Sequence, residues 1–274
     1  MTRPPFFPAR AALAAALLAA GCDGGDPVGS GPDTARLRVF NAVTNQGATI
    51  RARETDVLVD SSTAPPGAAA LSPNTGTQYA DVQAGAHAYV ARRAGDLRLG
   101  GQANLLGFNA RATLAGGFDY TLYVIGVVGV DETAAVAPLL LADDPFPPSR
   151  AADGAALQAR VRLVNAAPFA GGSAAGAGTL LRLYVTPGGA PAPAAVTTLA
   201  PAASVQYRQA SAALELPAGS YTFTAAQPSG RIVAQATLSL PAGAARTLVA
   251  TSGEPTTSPA PANHALAVLT DRDF

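Results

Sequence analysis

The single cysteine, Cys22, is the residue whose chemistry the sequence indicates most directly. It follows the small residues Ala19, Ala20 and Gly21. A lone thiol in an exported protein has no disulfide partner in its own chain, so it stays free, pairs with another molecule or carries a lipid. Because small residues stand directly before it, as at a lipoprotein cleavage site, we predict that Cys22 is a lipid attachment site.

The segment before Cys22 has the parts of a bacterial export signal. Arg3 and Arg10 supply positive charge, and the apolar run at 11–20 is too short to span a bilayer. Residues 1–21 are therefore predicted to be a lipoprotein signal peptide, and 22–34, rich in Gly, Pro and Asp, a flexible tether. The alternative is an ordinary signal cleaved after Ala20, which releases a secreted protein.

Two histidines are the next candidates for chemistry. His87 follows a Gly turn at the position that Tyr221 occupies in a later, similar segment, and a Tyr placed there can fix a corner of a β-sandwich. We therefore interpret His87 as structural, since no nucleophile accompanies it at a recognisable spacing. His264 follows the Pro-rich stretch 254–263 and is predicted to be solvent-exposed.

Acidic and glycine-rich segments give no further site. The pairs Asp131-Glu132, Asp143-Asp144 and Asp271/Asp273 do not follow a calcium-loop spacing, and we interpret Asp143 and Asp271 as solubilising charge at strand ends. The stretch 171–176 lacks the final Gly of a nucleophile elbow. The sequence therefore predicts no catalytic residue, no metal and no cofactor.

Composition limits the class of protein. Charged residues make up 13% of the chain and the formal net charge is zero, which disfavours nucleic-acid binding. The 28 Gly and 23 Pro would interrupt helices repeatedly and suit short strands joined by turns.

An internal repeat organises the chain. Residues 35–42, ARLRVFNA, recur as 159–166, ARVRLVNA, and three further segments match in the same order. In both copies Arg and apolar residues alternate, which predicts a strand with one buried and one solvated face that ends at the Asn-Ala pair. The chain is therefore interpreted as a tandem duplication, with repeats at 35–144 and 159–274 and a Pro-rich linker at 145–158.

Seven short strands are predicted in the second repeat, with no helical period. They lie at 160–164, 180–185, 212–216, 221–225, 232–240, 247–250 and 265–270. The predicted fold is all-β, with two tandem antiparallel β-sandwich domains of immunoglobulin-like type.

The segments RVRLVNAAP (160–168) and LPAGSYTF (216–223) resemble the bacterial family of domain of unknown function 4397. The resemblance covers both repeats and implies secreted or surface-attached β-sandwich modules, often in tandem, with no established activity. The first repeat departs from the pattern at Val43 and Thr44, where the second has Ala167 and Pro168.

Together these features predict a non-catalytic protein of the bacterial cell envelope, anchored at the outer membrane or cell surface through lipid on Cys22. The expected role is a binding or adhesion module whose partner is an envelope polysaccharide or a surface protein. Recognition is expected in the loops at 41–49, 128–136, 166–178 and 252–264, in a groove on a sheet face, or between the two domains. The alternatives are a purely structural stalk and, third, an enzyme.

Overall fold

The structure, a computed structural model, is nearly all β, as the sequence predicted. It describes residues 33–45, 54–60, 62–63, 67–94, 105–128, 134–143, 158–168, 180–188, 196, 199–252 and 264–272. All of these lie in one compact unit, Gly31–Phe274. Within these residues, no helix is long and apolar enough to cross a membrane.

The strands fall into two sets, which we call the N-terminal half (34–143) and the C-terminal half (159–272). The strands of the N-terminal half are β1 (Thr34–Asn45), β2 (Thr55–Val59), β3 (Ser62–Thr63), β4 (Thr75–Gly76), β5 (Ala80–Gln83), β6 (Gly85–Arg93), β7 (Leu105–Leu114), β8 (Asp119–Val128) and β9 (Ala134–Asp143).

The strands of the C-terminal half are β10 (Ala159–Ala166), β11 (Leu180–Pro187), β12 (Ala203–Gln206), β13 (Gln209–Ala210), β14 (Leu214–Leu216), β15 (Gly219–Ala226), β16 (Ile232–Leu240), β17 (Ala245–Ser252) and β18 (His264–Arg272). Each of the seven strands predicted here overlaps an observed one. The short β12 and β13 were missed, because two to four residues carry too little alternation to be recognised.

Each half contains two sheets with the same strand order in both halves. The inner sheets run β4-β1-β8-β9 and β13-β10-β17-β18, with β5 and β14 also pairing β1 and β10; the outer sheets run β3-β2-β6-β7 and β12-β11-β15-β16. The pairing is antiparallel except at the centre of each inner sheet, where β1 runs parallel to β8 and β10 to β17. The immunoglobulin-like type and the division into two domains remain predictions.

Alternation along β1 explains how the layers pack. Leu37 and Val39 point into a core between the inner and outer sheets of their own half, and Val161 and Leu163 do the same in β10. The opposite face of the inner sheets forms a third core, made of Phe40, Ala42, Tyr123, Ile125, Val164, Ala166 and Val249. This third core contains residues of both halves, so the two inner sheets pack against each other.

The expectation that the Arg-bearing face of β1 and β10 is solvated is confirmed at Arg36 and wrong at Arg38 and Arg162. Arg38 is 5% exposed, because the opposite half covers this face. Strand alternation shows that two faces differ in polarity, yet it carries no information about what covers the polar one.

The matching asparagines Asn41 and Asn165 join inner to outer sheets. The amide of Asn41 donates to Thr55 Oγ1 at 3.1 Å and to the Leu71 carbonyl at 2.8 Å, and its Oδ1 accepts the amide of Val43 at 3.0 Å. Asn165 donates to the Val205 carbonyl at 3.0 Å. The prediction that Asn-Ala ends the strand is wrong for β1, which continues to Asn45, and is confirmed for β10.

Asn41→Ala is expected to lower the free energy of unfolding by about 1–3 kcal/mol, because three buried hydrogen bonds are lost without replacement. Chemical denaturation measures the change. The control is Thr113→Ala, an exposed β7 residue, which should change stability by less than about 0.5 kcal/mol. Equal effects of the two substitutions would contradict this role for Asn41.

Candidate functional site

Polar side chains meet where the two inner sheets face each other. Arg38 lies on β1 and Arg162 on β10, at equivalent positions of the repeat, and Asp143 and Asp271 lie near the ends of β9 and β18. The two halves bring all four charged residues together.

The first set of contacts is centred on Arg38. Its Nε donates to Thr121 Oγ1 at 2.7 Å and its Nη1 to the carbonyl of Thr270 at 2.8 Å. Its Nη2 donates to Asp271 Oδ1, and the second oxygen of Asp271 accepts Thr247 Oγ1 at 2.6 Å. Arg38 therefore binds a Thr of its own half and an Asp of the other.

The second set repeats the first with the halves exchanged. Arg162 donates from Nε to Thr247 Oγ1 at 2.8 Å and from Nη1 to the carbonyl of Ala142 at 2.9 Å. Its Nη2 donates to Asp143 Oδ1, and Thr121 Oγ1 donates to Asp143 Oδ2.

The two sets close into a single circuit that we call the arginine–aspartate network. It runs through Arg38, Thr121, Asp143, Arg162, Thr247 and Asp271, and back to Arg38. Two positive and two negative charges cancel, and every guanidinium nitrogen and carboxylate oxygen has a partner. Such charge-assisted pairs are stronger than neutral hydrogen bonds.

Tyr79 closes the network on one side only. Its hydroxyl donates to Asp143 Oδ2 at 2.7 Å, and the Arg38 guanidinium lies 4.6 Å from the centre of its aromatic ring. Burial and the adjacent Asp143 carboxylate raise the pKa of Tyr79. The strand registers place Ala213 at the matching position of the C-terminal half.

Burial sets the energetics of the network. Removal from water raises the pKa of Asp143, and the charges of Arg162 and Arg38 oppose that shift. A buried pair of this kind gains little over a well-packed apolar pair, whereas loss of one partner leaves an uncompensated charge. The network therefore makes separation of the halves costly.

The chemistry available to the network is limited by its own contacts. Thr121 and Thr247 each donate to a carboxylate and accept from a guanidinium, so neither hydroxyl is directed at an open site. The geometry is that of a structural clamp between the halves.

The interpretation of Asp143 and Asp271 as solubilising charge is therefore wrong. Asp143 is 2% exposed, and both carboxylates bind an Arg of the opposite half. The sequence already showed that Asp143 and Asp271 occupy equivalent positions of the repeat. It did not show their arginine partners, because Arg38 and Asp271 are 233 positions apart along the chain. Only contact between the sheets reveals the pairing.

His87 makes the corner contact expected of it. Its Nε2 lies 2.7 Å from the Gln83 carbonyl oxygen, and Tyr221 bonds to the Pro217 carbonyl at 3.0 Å, so both side chains reach back four residues. His87 Nδ1 lies 2.6 Å from Asp60 Oδ2. The Ala88 amide and His87 lower the pKa of Asp60.

The prediction that His264 is solvent-exposed is wrong. His264 is the first residue of β18, where it pairs with Ser252, and its Nδ1 lies 3.1 Å from Ser252 Oγ. It is half-buried, and burial lowers its pKa, with a further contribution from the charge of Arg231. The predicted strand began one residue later, at 265, which left His264 outside it.

Several predicted features lie outside the described residues. These are Cys22 with its leader, residues 23–32 of the tether, residues 145–157 of the linker, Asp131-Glu132, Asp144, Asp273, the stretch 171–176, and the loop residues 46–49, 129–133, 169–178 and 253–263. The last residue of the predicted tether, Thr34, is instead the first residue of β1. Within the part that the structure describes, no group of three or more His, Cys, Asp or Glu is arranged to hold a metal ion.

The sequence allowed a binding groove between the two domains. In the structure, the space between the two inner sheets is a packed core. Phe40, Tyr123 and Val249 fill it and are 2% exposed or less. At its far end, Thr44 Oγ1 donates to the Ser252 carbonyl at 2.9 Å. Any recognition surface of the described residues therefore lies on the outer sheets or at the ends of the strands.

The fold and the clamp define a β-sandwich protein whose two halves are joined by buried charge. The model of the domain of unknown function DUF4397 matches residues 35–172, half of the chain, and the protein belongs to this family.

No curated protein matches the chain. Among solved structures, the chain is similar to the Bacillus anthracis TIE protein, at 9% identity and a TM-score of 0.21, over 81% of this chain and 34% of that one. A leucine-rich repeat protein from Bacteroides thetaiotaomicron is 12% identical, with a TM-score of 0.17, over 82% of this chain and 27% of the other. The chain thus spans about a third or less of either protein.

Arg38→Met is expected to lower the free energy of unfolding by about 3–5 kcal/mol, because it leaves Asp271 buried without its guanidinium. The pair Arg38→Met/Asp271→Leu should be less destabilised than the sum of its single variants, since neither unpaired charge remains. Urea denaturation of the four chains gives the coupling.

The matched control is Arg36→Met on the same strand. Arg36 pairs with Asp119, but 47% of its side chain is exposed, against 6% for Arg38, so its loss should cost less than about 1 kcal/mol. If Arg38→Met cost no more than Arg36→Met, the network would not be the clamp described here.

Proposed function

We propose that this chain is a non-catalytic, lipid-anchored protein of the bacterial cell envelope that acts as a binding or adhesion module. The observation that carries the proposal is that the buried charged residues of the network bind one another, which leaves the outer sheets and strand ends for contact with partners. The export-type leader and the lone Cys22 support an anchor at the outer membrane or cell surface.

The two halves are proposed to be a tandem pair of DUF4397 domains. The family match extends across the N-terminal half and into the first strand of the C-terminal half. The same strand order in both halves, including the parallel central pair, supports a second copy.

The proposed partners are the membrane, through the lipid, and an envelope polysaccharide or another surface protein. A zero formal net charge argues against nucleic acid. The second candidate is a structural stalk, which the clamp favours because it joins the two halves into one unit.

Replacement of Cys22 tests the anchor. Cells that express the wild-type chain and are fed labelled palmitate should yield a labelled, membrane-bound protein, and Cys22→Ser should abolish the label and release the protein. Ser30→Ala, in the predicted tether, is the control and should keep the label. An unlabelled, freely secreted wild type would refute the anchor and leave secretion as the alternative.

Binding to isolated envelope material separates the module from the stalk. The purified Cys22→Ser chain should bind a glycan array or envelope polysaccharide saturably, and the same chain unfolded in urea should not. Binding should persist in Arg36→Met, whose ion pair with Asp119 is not part of the arginine–aspartate network. If no glycan or surface protein binds, and deletion of the gene weakens the envelope, the stalk is the correct function.

A further inference from the structure

The two faces that meet between the halves are unequal in side-chain size. One row of the N-terminal inner sheet runs across four strands as Gly76, Phe40, Tyr123 and Leu139. The matching row of the C-terminal inner sheet is Ala210, Val164, Val249 and Ala267.

The aromatic pair of the N-terminal row is built into its own sheet. Phe40 and Tyr123 are cross-strand neighbours with ring centres 6.0 Å apart. A Cβ at Gly76 would lie 3.2 Å from Phe40 Cδ2, tighter than most van der Waals contacts, so glycine makes room for this ring. The C-terminal row has Ala210 there, beside the smaller Val164.

One step further along β8 and β17 the size difference continues. Ile125 of β8 corresponds to Thr251 of β17, and both are fully buried. The larger side chain again belongs to the N-terminal half.

The Arg, Thr and Asp residues of the interface are, by contrast, equivalent in the two halves, and the difference beside them is the uncharged Tyr79, which has Ala213 at its matching position. Each half presents one Arg, one Thr and one Asp in the same arrangement. Two N-terminal halves could form the same Arg–Asp pairs as one N-terminal and one C-terminal half. Charge therefore cannot tell the two pairings apart, and side-chain volume can.

We propose that the buried face of each half is a recognition surface that accepts the complementary half and rejects its own counterpart in a second copy of this chain. Two N-terminal faces would bring four large aromatic side chains into one layer and overpack it. Two C-terminal faces would have only valines and alanines in this row and would leave a cavity there. The larger C-terminal residues that pack against the same layer, Tyr207 and Leu269, lie outside the row. Only the mixed pair fills the layer at the density of a protein interior.

This selectivity matters because the two faces of each chain carry the same charged residues. Without it, two copies of the chain would also associate through their two N-terminal faces or their two C-terminal faces. With it, the N–C pair is the only favoured one, and the two halves of a single chain form that pair with each other.

Exchange between cut chains tests the proposal. A protease recognition sequence is inserted into the full chain within 145–158, and two preparations that differ in mass are cut, mixed, unfolded and refolded together. Native mass spectrometry then counts the pairs. We expect N–C pairs to exceed N–N and C–C pairs at least tenfold. Statistical pairing, or no association of the cut halves, would overturn the proposal.

A second experiment exchanges the side chains of the two rows between the halves. Phe40→Val/Tyr123→Val/Gly76→Ala should reduce the N–C excess to near the statistical ratio, because both faces are then small. Adding Val164→Phe/Val249→Tyr/Ala210→Gly should restore the excess with the sizes reversed. Phe118→Val, at an exposed aromatic, is the control and should leave the ratio unchanged. If the exchanged row restores stability without restoring selectivity, volume is not the basis of recognition.

Discussion

The exchanged pairing of Arg38 with Asp271 and of Arg162 with Asp143 is the interaction on which the arrangement of this protein depends. Each Arg is held in its own half by a Thr and reaches an Asp of the other half, so the charges are satisfied only when both inner sheets are in contact. An unpaired charge in this layer would have to be removed from water without compensation. The network thus couples the integrity of each half to the presence of the other.

Within each half, a different set of contacts determines the sandwich. Leu37 and Val39 of β1 pack between the sheets, and Asn41 fastens the inner sheet to Thr55 and Leu71 on the other side of the core. The same strand therefore contributes apolar side chains to one layer and charged side chains to the next. The Arg-apolar-Arg pattern of this chain reflects that double use at Arg38, which is buried on the face opposite Leu37 and Val39, whereas Arg36 is exposed.

The polar and aromatic side chains that are buried between the halves are not available to a partner, which limits where a function can lie. Arg38 and Arg162 bind Asp271 and Asp143. The aromatic residues Phe40 and Tyr123 fill the layer between the halves. Surfaces that remain available lie away from this layer. A module attached at one end by a lipid would then present its strand ends and outer sheets to a partner, which is the arrangement proposed here.

The sequence by itself determined the local structure. The alternation in 35–42 and 159–166 predicted β1 and β10, the turns at Pro-Ala-Gly separated the later strands, and the repeat predicted matching elements in both halves, because these features depend on neighbours a few residues apart. Asp143 and Asp271 were recognised as equivalent, yet they were assigned to solvent, and the Arg face of β1 was assigned to solvent as well.

Only the tertiary structure decided what covers that face. Arg38 and Asp271 are separated by 233 positions along the chain, and their contact depends on how two complete sheets pack. A period of two residues distinguishes one face of a strand from the other and cannot show whether water or a second sheet lies beyond the polar face. The same reason applies to the row that contains Phe40 and the row that contains Val164. Their difference in side-chain size affects the packing only where the two halves are in contact.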